Sequence, residues 1–229
     1  MIVVIAGMPR SGSTFSFNVA RELLNARGEV ATFATNSLLE VISNPRAESH
    51  LIIKTHAPDH LTNSLLKKDE FPCICTVRKP EDAIASWMQV FRFSFEESVD
   101  TYRHWLAWHS SMSQHMLNLR YEELDKFPLL TIWKISRYLL TYSDFREVSR
   151  IWWKYRKRIV YEKTKHLKVD SDGTTNLGFS YYDNLTFFHR RHISSIESLA
   201  GTDVLSEDQI RLIRDGLNDY VDKNGNYHW

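Results

Sequence analysis

The residues best equipped for chemistry near the start of the chain are Arg10, Ser11, Gly12, Ser13 and Thr14, which follow the apolar run Ile2 to Ala6. A short β-branched run of this kind reads as a strand buried in a parallel sheet, ended by Gly7. Gly7 and Gly12 can take positive φ, so that successive backbone N–H groups turn toward one point, where the helix expected from Phe15 to Ala26 adds its positive end. The expected product is a cradle for phosphate. Its spacing approaches the nucleotide P-loop, but position 13 holds serine where that motif has lysine. The cation in the loop is Arg10, which suits anion binding better than metal-dependent phosphoryl transfer.

Two further stretches bring chemistry to strand ends. Leu51 to Lys54 is apolar and then abruptly cationic, and an extended chain puts Lys54 and His56 on one face. Open α/β sheets bind ligands at that carboxyl end. Phe71 to Val77 reads as another strand, with Arg78 at its end and Pro80, Glu81 and Asp82 opening a helix that carries Ser86. Asn118 to Leu124 reads as a short strand ending in an acidic turn, with Tyr121 at its end.

The remaining elements must position these groups. Glu29 to Phe33 is expected as a strand, Ser37 to Ile42 as a short helix and Glu96 to Leu117 as a long one. His104, Trp105, Trp108, His109 and His115 crowd the long helix at a spacing that suits packing rather than a metal site. Tyr138 to Lys168 combines aromatic residues with many cations. It reads as an amphipathic helix with a solvated basic side, and as the weaker alternative an anionic-acceptor surface. Asp170 to Gly178 reads as loop. Ser206 to Gln209 carries the capping-box pattern and starts a helix expected to run through Val221.

Composition bounds the class. The chain has 229 residues, 43% hydrophobic and 13% aromatic, with a formal net charge of +1. That describes one globular α/β domain over residues 1–229 and argues against a general nucleic-acid binder. The two cysteines, Cys73 and Cys75, are not expected to form a disulfide and cannot make a metal site alone. No apolar run approaches the roughly 20 residues of a membrane span, so the expected location is cytoplasmic.

In their order along the chain these stretches resemble the sulfotransferases that use 3′-phosphoadenosine 5′-phosphosulfate (PAPS), a family with a nucleotide-kinase-like α/β fold. Pro9-Arg10-Ser11-Gly12-Ser13-Thr14-Phe15 is similar to that family's Pro-Lys-Ser-Gly-Thr-Thr-Trp loop. Ile53-Lys54-Thr55-His56 resembles the segment of the catalytic histidine. Arg78 and Ser86, eight residues apart, resemble the 3′-phosphate motif, and Leu119 to Leu124 the strand whose tyrosine lies near adenine. The late Arg-Lys-Gly loop, another 3′-phosphate contact, corresponds to Arg190-Arg191-His192, without the Gly-Asp-Trp that follows it in the family. An arginine in the first loop also occurs in the tyrosylprotein branch, where a glutamate is the base, which makes Glu40 a reserve candidate.

The resemblance implies a P-loop-like fold with a central parallel sheet and transfer of a sulfuryl group from PAPS to the hydroxyl of a small molecule or carbohydrate, without a metal. The loop from Arg10 through Ser11, Gly12 and Ser13 to Thr14 is expected to hold the 5′-phosphate, with Arg10 and Lys54 neutralising charge and His56 taking the acceptor proton. Arg78, Ser86, Arg190 and Arg191 are expected at the 3′-phosphate, with Phe15 and Tyr121 at adenine. The competing readings are a small P-loop kinase, disfavoured by Ser13, and a non-catalytic nucleotide-binding protein, disfavoured by Lys54 and His56 on one face. Oligomeric state is not legible.

Overall fold

Five short runs that alternate with helical segments each become a strand of one parallel sheet in the computed structural model, which describes residues 1–43, 48–142, 144–168, 173–176, 181–190, 193, 200–220 and 227. The strands are β1 (Ile2–Ala6), β2 (Val30–Ala34), β3 (His50–Thr55), β4 (Cys73–Val77) and β5 (Leu117–Arg120), in the order β2-β3-β1-β4-β5. From β1 the chain first winds to one side, through β2 and β3, and then returns to the other through β4 and β5. Strand order therefore reverses at β1, and a crevice opens at its carboxyl end. Ile5 pairs with Lys54 on one side and with Ile74 on the other, so the turns after β1, β3 and β4 emerge side by side.

Helices cover both faces because both are apolar. On one face Val3, Ile5, Ile52, Ile74 and Leu119 pack against Phe17, Leu23 and Leu24 of α1 (Ser13–Asn25). The same cluster takes in Ile132 and Ile135 of α7 (Pro128–Leu139) and Ile151 of α8 (Phe145–Lys154). On the other face Cys75 and Val77 meet Ile84 of α4 (Pro80–Phe91) and Tyr102 and Leu106 of α5 (Phe95–Met112). Leu38 and Val41 of α2 (Leu38–Ile42) and Leu66 of α3 (His60–Leu66) close that side over Val4, Ala6 and Ile53. Near the end of the chain α10 (Glu207–Gly216) begins at the expected capping box, with Ser206 and Gln209 exchanging hydrogen bonds, and Arg214 reaches Glu81 at 2.9 Å.

Several boundaries differ from the sequence reading. The long helix stops at Met112 rather than Leu117, because Leu117 to Arg120 is needed as the edge strand beside β4, from Ile74 to Val77. Tertiary pairing there overrides the helical period. The acidic turn after β5 is instead a helix, α6 (Tyr121–Lys126). The basic segment from Tyr138 is not one helix: α7 ends at Leu139, α8 starts at the Asp144 cap, and α9 (Lys157–Lys165) follows a break at Tyr155 and Arg156. Within the expected loop, Thr174–Asn176 is a strand, β6, paired antiparallel with β7 (Tyr181–Asp183). The last helix ends at Gly216, and Val221 lies outside the described residues. The crowded aromatics of α5 pack as expected: Trp105 stacks on His109 at 5.1 Å, and His109 Nε2 lies 2.8 Å from Asn118 Oδ1. No helix among the described residues is long and apolar enough to cross a membrane.

The outer side of α1 carries a buried polar network. Glu22 accepts from Lys154 at 2.7 Å and from the Tyr155 hydroxyl at 2.9 Å, with Arg150 at 3.3 Å and Arg21 at 3.6 Å. Burial pushes its carboxyl up, but the bonds from Lys154 and Tyr155 outweigh this and leave it below the usual range. A lowered carboxylate pKa contributes stability above the ordinary carboxylate range, and that contribution is lost as pH falls through the depressed value. Glu22→Gln is therefore expected to cost about 2 kcal/mol at neutral pH, less than a fully buried pair because Lys154 and Arg150 are half exposed. Urea unfolding of both proteins at several pH values checks this, and the difference should narrow as pH falls below the ordinary carboxylate range.

Candidate active site

The turn after β1 is built by a close approach. Gly7 does not use a positive φ, contrary to the sequence reading. A Cβ on it would lie 2.3 Å from Thr76 Oγ1 and 2.5 Å from Ser13 Cβ, so glycine is required for lack of a side chain. The left-handed positions are Arg10, at φ 62°, and Gly12, at φ 89°. A hydroxyl knot holds the turn shut: Ser11 Oγ lies 2.6 Å from Met8 O, 2.9 Å from Thr76 O and 2.6 Å from Thr76 Oγ1. The buried Tyr102 hydroxyl sits 2.8 Å from Pro9 O and 3.1 Å from Ala83 O, tying the loop to α4 and α5. The Ser11 N–H is committed to Met8 O at 3.2 Å, but helix geometry leaves the N–H groups of Ser13 and Thr14 with no carbonyl one turn earlier. These open the anion site at the start of α1.

Around this turn lies a cavity of about 620 Å³. Arg10 and Gly12 after β1, Lys54 and His56 at the end of β3, Arg78 after β4 and Tyr121 after β5 all line it, with Ser13, Phe15 and Ser86. The cations interlock. Arg10 Nε donates to Ser86 Oγ at 3.0 Å, Arg78 donates to the Arg10 carbonyl at 3.3 Å, and the Arg78 guanidinium lies 4.2 Å above the Tyr121 ring. His56 Nδ1 lies 2.6 Å from the Gly7 carbonyl. A carbonyl only accepts, so that nitrogen carries the proton and Nε2 of the neutral ring is left as acceptor.

Burial lowers three of these basic groups, and neighbouring positive charge adds to it at Arg10 and His56. Burial brings Lys54 down to about 8. His56 falls to about 3, through burial first and then Lys54, with the bond to Gly7 opposing and His189 and Arg10 adding. Burial likewise lowers Arg10, partly offset by Tyr102 and reinforced by Arg78. Asp125 is the one carboxylate among the described lining residues, and Lys157 pairs with it at 3.0 Å. A cavity of this composition favours an anionic occupant.

Not every sequence-predicted residue faces the cavity. Ser11 and Thr14 are buried beneath it, and the Ser11 hydroxyl serves the turn. Glu40 is exposed, outside the lining, and its carboxylate accepts from Thr35 Oγ1. Arg190 is exposed beside the Tyr181 ring and does not line the cavity, and Arg191 lies outside the described residues. The sequence reading missed the far wall: Trp152, Tyr155, Arg156 and Val160 from α8, α9 and the break between them, and Phe187, Phe188 and His189 after β7. Aromatic density was the available signal, but packing accounts for such density equally well. The segment's cations are largely engaged, Arg150 and Lys154 with Glu22, Lys165 with Glu162, and Arg156 over the Trp153 ring at 3.3 Å.

Comparisons with known proteins bear on the family and the fold. The model of the sulfotransferase domain matches residues 2–195. Among solved structures, a mouse sulfotransferase (SULT7A1) complexed with PAP superposes with a TM-score of 0.67 at 16% identity, covering 95% of this chain and 83% of that one. A retinol dehydratase in complex with retinol and PAP gives 0.61 at 15% identity, over 95% and 80% of the two chains. At these identities the structural likeness is one of fold. No curated protein matches the chain by sequence.

Because a methyl group at position 7 would press on the hydroxyl knot, Gly7→Ala is expected to destabilise the protein by about 1 to 3 kcal/mol. Chemical denaturation beside the wild type measures this, and equal stability would mean that the turn adapts without cost.

Proposed function

The chain belongs to the sulfotransferase family, and from that premise we propose that it moves the sulfuryl group of PAPS to an acceptor hydroxyl, with His56 as general base. One observation carries the assignment of the base. The bond to the Gly7 carbonyl fixes the ring so that Nε2 accepts a proton inside the cavity, beside Lys54 and Arg10. In this reading the N–H groups of Ser13 and Thr14 receive the 5′-phosphate, and Arg78 with Ser86 receives the 3′-phosphate. Phe15 and Tyr121 border the adenine. No donor contact is assigned to Arg190. Residues 1–229 act as one domain, supported by the packing of α10 on α4 beyond the family match.

Transfer breaks the S–O bond to the 5′-phosphate, whose bridging oxygen keeps the electron pair, and forms an S–O bond to the acceptor. The acceptor proton goes to His56 Nε2. Arg10 and Lys54 neutralise the leaving oxygen, and Arg10 does so without giving up a proton. The donor also changes the base. At about 3 His56 is too weak to work near neutrality, but a bound anion offsets Lys54 and Arg10 and raises its proton affinity. A bound donor therefore strengthens the base. Neutralisation by Arg10 and Lys54 leaves no role that requires a metal in this reading. Trp87 and Phe91 line the cavity and favour an apolar body on the acceptor, a small molecule or a carbohydrate ring. The cytoplasm, where PAPS would be met as a dissolved cofactor, is the compartment we assign.

Two measurements test the proposal. Calorimetric titration should give tight binding of PAP with magnesium absent and much weaker binding of ATP, and Arg78→Ala should weaken PAP by about 2 to 4 kcal/mol. Preference for magnesium-ATP would instead favour a kinase. His56→Ala should leave PAP binding close to wild type and lower turnover, followed as PAP released with a panel of phenols and alcohols, by roughly 10²- to 10⁴-fold. Near-full turnover would remove His56 as the base.

A further inference from the structure

A second imidazole stands in the same cavity. His189 follows Phe187 and Phe188 in the segment after β7, and none of the motifs that identify the site includes it. Its ring packs edge-on against Phe91 of α4 at 6.1 Å and against Tyr182 of β7 at 5.6 Å. Two charges act on it, Lys54 and Arg10, and it acts in turn on His56. Burial and those two cations lower it to about 4, so it is neutral when the cavity is empty.

The segment is held firmly. Asp183 accepts from the Thr186 N–H at 2.7 Å, Phe187 takes a left-handed φ of 53°, and His189 forms a bridge back to Tyr182. Asn18 Nδ2 on α1 donates both to Thr14 O and to Thr186 O at 2.8 Å, and Arg21 donates to Leu185 O. One helix thus fixes the anion site at its start and the segment that delivers His189.

We propose that His189 binds the sulfuryl group during transfer, donating a ring N–H to one of its non-bridging oxygens. The inference depends on the donor and base assignments above. Arg10 stands on the side of the leaving oxygen and His56 on the side of the acceptor, and the group that passes between them is the sulfuryl. His189 lines the same cavity as Arg10, Lys54 and His56, and its ring and the Arg10 guanidinium both lie against Phe91, at 6.1 and 5.9 Å, so it borders that path. An imidazole keeps at least one N–H in either protonation state, so it can donate to a sulfuryl oxygen throughout. A donor aimed at oxygens whose charge shifts as sulfur changes partners acts on the transition state itself.

PAPS and PAP differ by this one group, which allows a test by binding alone with no acceptor identified. His189→Phe keeps an aromatic ring against Phe91 and Tyr182 and removes the N–H, while His189→Gln restores a donor. Calorimetry with both nucleotides should show PAP affinity within about 2-fold of wild type in the Phe variant and PAPS affinity lower by on the order of 10-fold or more, the worth of a hydrogen bond to a charged group. The Gln variant should recover part of the loss. Equal weakening of both nucleotides, or of neither, overturns the proposal. Should the Phe variant fail to fold, the Gln variant and His189→Leu carry the same comparison, with the larger loss expected in Leu. If the wild type binds neither nucleotide, the donor assignment falls first, and that result is distinct from binding without discrimination.

Discussion

Positive charge gathered at one cavity is the constraint around which this protein is arranged. Arg10, Lys54 and Arg78 face one cavity with His56 and His189, and the described lining offers only Asp125, already paired with Lys157. Burial lowers Arg10, Lys54 and both histidines, and neighbouring positive charge adds to it at Arg10 and the two imidazoles, a pattern suited to binding an anion. The fold tolerates this because neutral groups absorb part of the cost. Arg10 is held by Ser86, Arg78 lies against the Tyr121 ring, and the His56 ring is anchored on a backbone carbonyl.

The apolar scaffold makes such a site possible by fixing where strands end. Because β1 lies between β3 and β4, the turns that carry Arg10, His56 and Arg78 are adjacent, although they lie far apart along the chain. The closeness has a steric cost, met by the absence of a side chain at Gly7 and by the Ser11–Thr76 hydroxyl pair. Ser11 is therefore a residue of the turn. Its hydroxyl faces away from the cavity, and the open N–H groups begin further on, at the start of α1.

That helix also works on its outer side. Asn18, Arg21 and Glu22 join it to the segment before His189 and to α8, so hydrogen bonds tie the helix that opens the site to its aromatic wall. The same network accounts for much of the positive charge between Arg146 and Lys168. Arg150 and Lys154 neutralise Glu22, so the basic character of this segment belongs first to the scaffold and only at Arg156 and Lys157 to the cavity.

Local order in the sequence determined the half of the site that hangs on strand ends. An apolar run followed by glycine and a cation specifies β1 and its turn, and a period of two puts Lys54 and His56 on one face. Proline with two acids after Arg78 marks the start of α4. Each of these signals spans a few residues, which is why Arg10, Lys54, His56, Arg78, Ser86 and Tyr121 could be named before their meeting was seen. The rest required the tertiary structure. Whether Leu117 continues a helix or becomes an edge strand is decided by the open edge of β4, and whether Ser11 faces ligand or protein is decided by Thr76 on another strand. Arg190, drawn from the same late segment as His189, points away, while His189 points in. That choice is made by the Tyr182 bridge and by bonds from Asn18 and Arg21, contacts that span more than 160 residues for α1 and leave no period in the sequence to read.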